Sequence, residues 1–95
     1  VTEVRLARRA VEDLERLVDF LIEAGDPHAE SILDLVENGL LVLRRHPLIG
    51  RTAERGLREL VISRGKSGYV ALYDFDEPAD VVTVLALKHQ RELGW

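Results

Sequence analysis

Ninety-five residues, 46% hydrophobic and 32% charged, suffice for one modest core and not for two, so a single domain over residues 1–95 is expected. The absence of cysteine excludes disulfides and thiolate metal sites, and no apolar run approaches the roughly 18 residues that cross a bilayer. A formal net charge of −4 sets the chain apart from dedicated nucleic-acid binders, which neutralise phosphates with surplus Lys and Arg.

The N-terminal residues VTEVRLARRA lack the apolar stretch of a signal peptide, so a cytoplasmic location with no membrane partner is expected. Val1 to Leu6 alternates apolar and polar residues and reads as a short strand at a sheet edge. From about Ala7 the period changes to 3.6: Ala10, Leu14, Leu17, Val18 and Leu21 form one stripe of an amphipathic helix that Gly25 ends. Asp26 and Pro27 supply an N-cap and a first-turn proline for a second helix from about Pro27 to Arg45, its stripe formed by Ala29, Ile32, Leu33, Val36, Leu40 and Leu43. Gly39 lies on that stripe, which suggests a close approach of another backbone. Leu41 and Val42 point away from it, as extra core or as an apolar patch for a partner.

His46 to Gly56, HPLIGRTAERG, is a loop with one proline and two glycines. Beyond it, Leu57 to Arg91 holds three apolar, β-branched and aromatic runs, separated by breaks at Arg64–Gly68 and Asp76–Asp80. This pattern predicts a three-strand antiparallel meander. In its second strand Tyr69, Ala71, Tyr73 and Phe75 share one face; in its third, Val82, Val84 and Ala86 oppose Val81, Leu85 and Leu87. The expected fold is α+β in the order β-α-α-β-β-β, an N-terminal helical hairpin on a small antiparallel sheet. Because a helical hairpin returns the chain to the end it left, the first and second strands are expected to run antiparallel and to pair directly.

Charge is unevenly spread. Residues 1–43 carry ten acids and four bases, residues 44–66 two acids and seven bases, and residues 67–95 five acids and two bases, giving −6, +5 and −3. Such a basic middle segment can meet phosphate, an acidic partner, or the acidic helices of its own chain. His28, His46 and His89 show no i, i+4 pair, so no metal is expected; no cofactor is expected either.

The helix exit RRHPLIGR, the strand start LREL, then GYVALYDF with Tyr73, and the strand end LKHQRE occur in an order and spacing that resemble the RelE/ParE superfamily of toxins, often called plasmid stabilisation proteins. The resemblance covers nearly the whole chain. It implies a growth-inhibiting protein held inactive by a cognate antitoxin, through which alone it meets DNA. It carries two activities. RelE-like members cut messenger RNA on the ribosome by helping the ribose 2′-hydroxyl attack phosphate, which asks for a base, cations and an acid. His89, Lys66 and Arg58 are the catalytic candidates for that chemistry, with Glu54, Glu59 and Glu92 as alternative bases. ParE-like members inhibit DNA gyrase and need only a binding face, for which Arg64, Lys66, Lys88, His89 and Arg91 are candidates. Leu41 and Val42 are candidates for the antitoxin contact. The basic residue that RNA-cleaving members often place on the third sheet strand falls here at about Val70, which favours the gyrase inhibitor, a non-enzyme, over the endoribonuclease; an inactive antitoxin-binding module is a third reading.

Overall fold

The computed structural model describes residues 1–64 and 67–95, and the side chains of Arg64 and Ser67 are left aside with Gly65 and Lys66. The chain forms β1 (Glu3–Leu6), α1 (Arg8–Glu23), α2 (Ser31–Leu40), β2 (Arg51–Thr52), β3 (Arg58–Arg64), β4 (Ser67–Asp76) and β5 (Val81–His89), with 3-10 turns at Leu41–Arg44 and Glu54–Gly56. No described helix is long and apolar enough to cross a membrane.

α1 ends as its sequence specifies. Gly25 adopts φ +71°, the Gly25 N–H donates to the Ile22 carbonyl at 3.0 Å and the Asp26 N–H to Leu21 at 2.9 Å, a pattern that satisfies carbonyls left open by the last turn. Asp26 then accepts the His28 N–H at 2.7 Å. The second helix is shorter than its apolar stripe implies. Residues 27–30 form turns closed by Ala29 N–H to Asp26 and Ser31 N–H to His28, and the stretch after Leu40 tightens into the 3-10 turn. Pro27 lacks an N–H and Pro47 lies close ahead, so both ends are pushed into three-residue turns.

β3, β4 and β5 form the expected antiparallel meander, but the sheet is mixed, in the order β1-β5-β4-β3-β2. β1 pairs in parallel with β5, Val4 beside Val82 and Leu6 beside Val84, and it runs in the same direction as β3, with β5 and β4 between them. The expected direct antiparallel pairing is thus corrected. Two helices side by side are about 20 Å wide, some four strand spacings, so α1 lies over β5 while α2 delivers the chain to the far edge. The short β2 in the loop adds one further reversal before β3.

The core lies between the hairpin and one sheet face, where Tyr73, Ile32, Leu43, Leu87, Val36, Val82 and Val84 are fully buried. Strict alternation fails once, in β5. Leu72 pairs with Ala86 but Tyr73 with Val84, so Leu85 is the extra residue of a bulge and Leu87, not Ala86, rejoins the core side. Gly39 is tight for a different reason than expected: a Cβ there would stand 2.8 to 3.0 Å from the Ile62 side chain of β3, not against a backbone. The opposite sheet face is partly covered by the chain's last residues. The Trp95 indole N–H donates to Glu59 on β3 at 2.7 Å and the ring lies 4.6 Å beneath the Lys88 ammonium of β5.

Candidate functional site

A cleft of about 920 Å³ is lined by residues of α1, the turn between the helices and α2, together with Tyr69 of β4 and His89 of β5. Leu17, Leu21, Ile32, Leu35 and Tyr69 give it an apolar floor, and Phe20, 67% exposed, stands at its mouth. Arg16, Asp26, His28, His89, Arg91 and Glu92 supply its polar groups. An exposed phenylalanine over an apolar recess is a binding feature, since burying such a ring gains roughly 1.5 to 3 kcal/mol.

His89 enters this cleft from the end of β5, opposite Tyr69 in the β4 register. The rings meet edge-on, with centroids 5.4 Å apart and planes at 87°. His89 Nδ1 accepts the backbone N–H of Arg91 at 3.1 Å, which fixes the neutral ring's proton on Nε2. In that state the imidazole presents an N–H donor at Nε2, and its Nδ1 lone pair is engaged by the backbone. Arg16 reaches across from α1 to Glu92 with two contacts, at 2.7 and 3.3 Å. That carboxylate raises the Arg16 pKa despite partial burial, and the pairing occupies Glu92 as an acceptor.

The other predicted site residues lie elsewhere. Arg58 pairs with Tyr73 in the register, four residues along β4 from Tyr69, which places Arg58 and His89 about 13 Å apart in the strand direction alone. Its Nη1 donates to the carbonyls of Leu48 at 3.2 Å and Gly50 at 2.8 Å. Lys88 is on the opposite sheet face, donating to the Gly94 carbonyl at 3.2 Å and stacking on Trp95. Glu59 shares that face. The Trp95 indole N–H holds its carboxyl below the ordinary range, burial opposes this, and Arg51 adds to the lowering, so Glu59 is a weakened base. Glu54 is exposed on its 3-10 turn, and Arg91 is exposed at the cleft rim. Lys66 lies outside the described residues, and so does the Arg64 side chain. Leu41 is exposed and Val42 packs against the core. Among the described residues no group of three or more His, Asp or Glu side chains stands ready to share a metal ion.

The sequence singles out Tyr73 but not the partners of its hydroxyl. Tyr73, wholly buried on β4, donates to the Pro47 carbonyl at 2.8 Å and accepts the Gly50 N–H at 2.9 Å, tying the loop before β2 to the sheet centre. Burial pushes its phenol pKa up, against the opposing effects of the Gly50 N–H and the Arg58 charge.

Comparison with known proteins adds to this geometry. A family model described as the ParE toxin of the type II toxin-antitoxin system parDE matches residues 4–94. Toxin RelE3 of Caulobacter vibrioides is 32% identical over 89 residues, 94% of this chain and 95% of that protein. In fold, the chain is similar to the chromosomal ParDE system of P. aeruginosa, with a TM-score of 0.75 at 18% identity, covering 93% of this chain and 95% of that one. The intact E. coli RelBE complex matches with a TM-score of 0.66 at 17% identity, over 97% and 100% of the two chains.

Proposed function

The chain belongs to the ParE toxin family, within the RelE/ParE superfamily of type II toxin-antitoxin systems, and from that premise we propose that it arrests bacterial growth by binding DNA gyrase and is held inactive by a cognate antitoxin. What supports gyrase over messenger RNA is the separation of Arg58 from His89, whose register partners Tyr73 and Tyr69 stand four residues apart along β4. Cleavage at a 2′-hydroxyl needs base, acid and cation around one phosphate, within hydrogen-bond reach. Arg58 is engaged by two loop carbonyls, and His89 presents a donor. Val70 is buried on the face away from the helices and brings no charge.

The apolar cleft at the hairpin tip is the better seat for the antitoxin. Leu41 and Val42 do not form one exposed apolar face, whereas Phe20, Leu21 and Leu35 line a recess of the size that takes several side chains. The toxin then acts in the cytoplasm and meets DNA only through its antitoxin.

A ribosome-dependent endonuclease is the second reading, favoured by the grouping of His89, Tyr69 and Arg91 around that same cleft. Pulse labelling within minutes of inducing the chain without antitoxin separates the two. The expected result is a prompt fall in DNA synthesis with translation continuing. A prompt fall in protein synthesis with DNA synthesis intact overturns the gyrase reading and makes His89 and Lys66 catalytic candidates again. No effect on either leaves an inert antitoxin-binding module.

A further inference from the structure

The loop that leads into β2 is held with unusual firmness for an exposed connection. Tyr73 binds it through Pro47 and Gly50, Arg58 through Leu48 and Gly50, and the Ile49 N–H closes a turn on the His46 carbonyl at 3.1 Å. A Cβ on Gly50 would fall 2.6 Å from the Tyr73 hydroxyl, so the chain passes there only as glycine. The side chains displayed on this anchored turn are Leu48 and Ile49, 56% and 55% exposed, and neither belongs to the core.

Their surroundings are cationic. From Arg44 to Arg58 the chain carries five arginines against one glutamate, +4 within a molecule of net charge −4. Arg51 is paired with Glu59 at 2.9 Å, while Arg44 and Arg45, both exposed, form no ion pair among the described residues. We propose that this turn is the surface by which the toxin docks on its growth target, and that the target is a protein presenting an apolar recess within an acidic surface. The inference rests on the toxin reading for the existence of a target, not for its identity as gyrase. Two aliphatic knobs lose their water only in an apolar recess, which a phosphate backbone does not offer. The arginine rim steers an acidic partner, and the fixed backbone spares the ordering cost of a loop on binding.

The test uses the variants Leu48→Ser/Ile49→Ser and Arg44→Glu/Arg45→Glu in the full chain. Three readouts are needed: growth after induction, inhibition of purified DNA gyrase, and affinity for the cognate antitoxin, with a thermal midpoint to confirm folding. Both variants should lose growth inhibition by about tenfold or more. Antitoxin affinity should stay within about twofold and the midpoint should hold, as for surface substitutions outside an interface. Retained growth inhibition in the Leu48/Ile49 variant overturns the proposal, and so does a parallel loss of antitoxin affinity, which would assign the turn to the antitoxin. If only the charge reversal matters, the surface reads phosphate and the proposal also falls. If the wild-type chain leaves gyrase untouched yet the variants lose growth inhibition, the gyrase reading falls while the docking turn stands.

Discussion

Tyr73 shows how one atom organises a region. Its hydroxyl is satisfied twice, by partners 23 and 26 residues earlier in the chain. Tyr73→Phe leaves the Gly50 N–H and the Pro47 carbonyl without that partner, and the expected cost is about 1 to 3 kcal/mol. Urea unfolding should give a lower midpoint with an unchanged m-value. The sequence marks Tyr73 as one of four residues on a strand face and as part of the motif GYVALYDF. Nothing local indicates its partners, because the loop it grips is distant in sequence. Gly25, by contrast, is legible, since its helix-ending role depends on neighbours within five residues. A second residue-scale expectation concerns pH. The Glu59 carboxyl has a folded pKa below its ordinary value, so its contacts with Trp95 and Arg51 contribute stability that is complete above the unfolded pKa of about 4.3 and is lost as pH falls through the lower folded value. Trp95→Phe removes the leading cause. The difference in thermal midpoint between this variant and the wild type should therefore be largest near neutrality and shrink below about pH 4.

At the scale of elements, the register of β5 decides how α1 is fastened. The bulge at Leu85 turns Leu87 inward, and the Leu87 N–H donates to the Asp13 carboxylate of α1 at 2.9 Å, beyond the point where β1 ends. Arg9 and Arg16 flank that carboxylate at 3.7 and 3.8 Å. Hydrogen bonds to a charged group contribute about 1.5 to 3 kcal/mol, so Asp13→Ala should destabilise by that order, with Asp13→Asn restoring part of it in denaturant titrations. The meander was legible because period-2 alternation survives in single strands and the breaks carry turn residues. The bulge was not, since inserting one residue into an apolar run leaves the run apolar. The edge pairing of β1 was not either: six residues state that a strand exists, but only the width of the hairpin states which edge it reaches.

For the whole molecule, the arginines between Arg44 and Arg58 flank the anchored loop around Leu48 and Ile49, while β3 carries the chain on toward the end of the strands where the cleft with His89 forms. Charge blocks are readable from a string; the distance between two blocks is not. Arg58 and His89 suit the same chemistry by residue type, and the β4 register separates them.

The parallel pairing of β1 with β5 has a consequence for how such a poison is made. The first strand to leave the ribosome must wait for residues 81–89 before its edge is filled. Until then the hairpin has only part of a sheet to cover, and neither the cleft nor the anchored loop has its full frame. A nascent chain stalled with β5 still in the exit tunnel should bind neither antitoxin nor target in a pull-down, whereas one stalled with β5 extruded should bind both. On that expectation, synthesis order delays binding of either partner until β5 has been made.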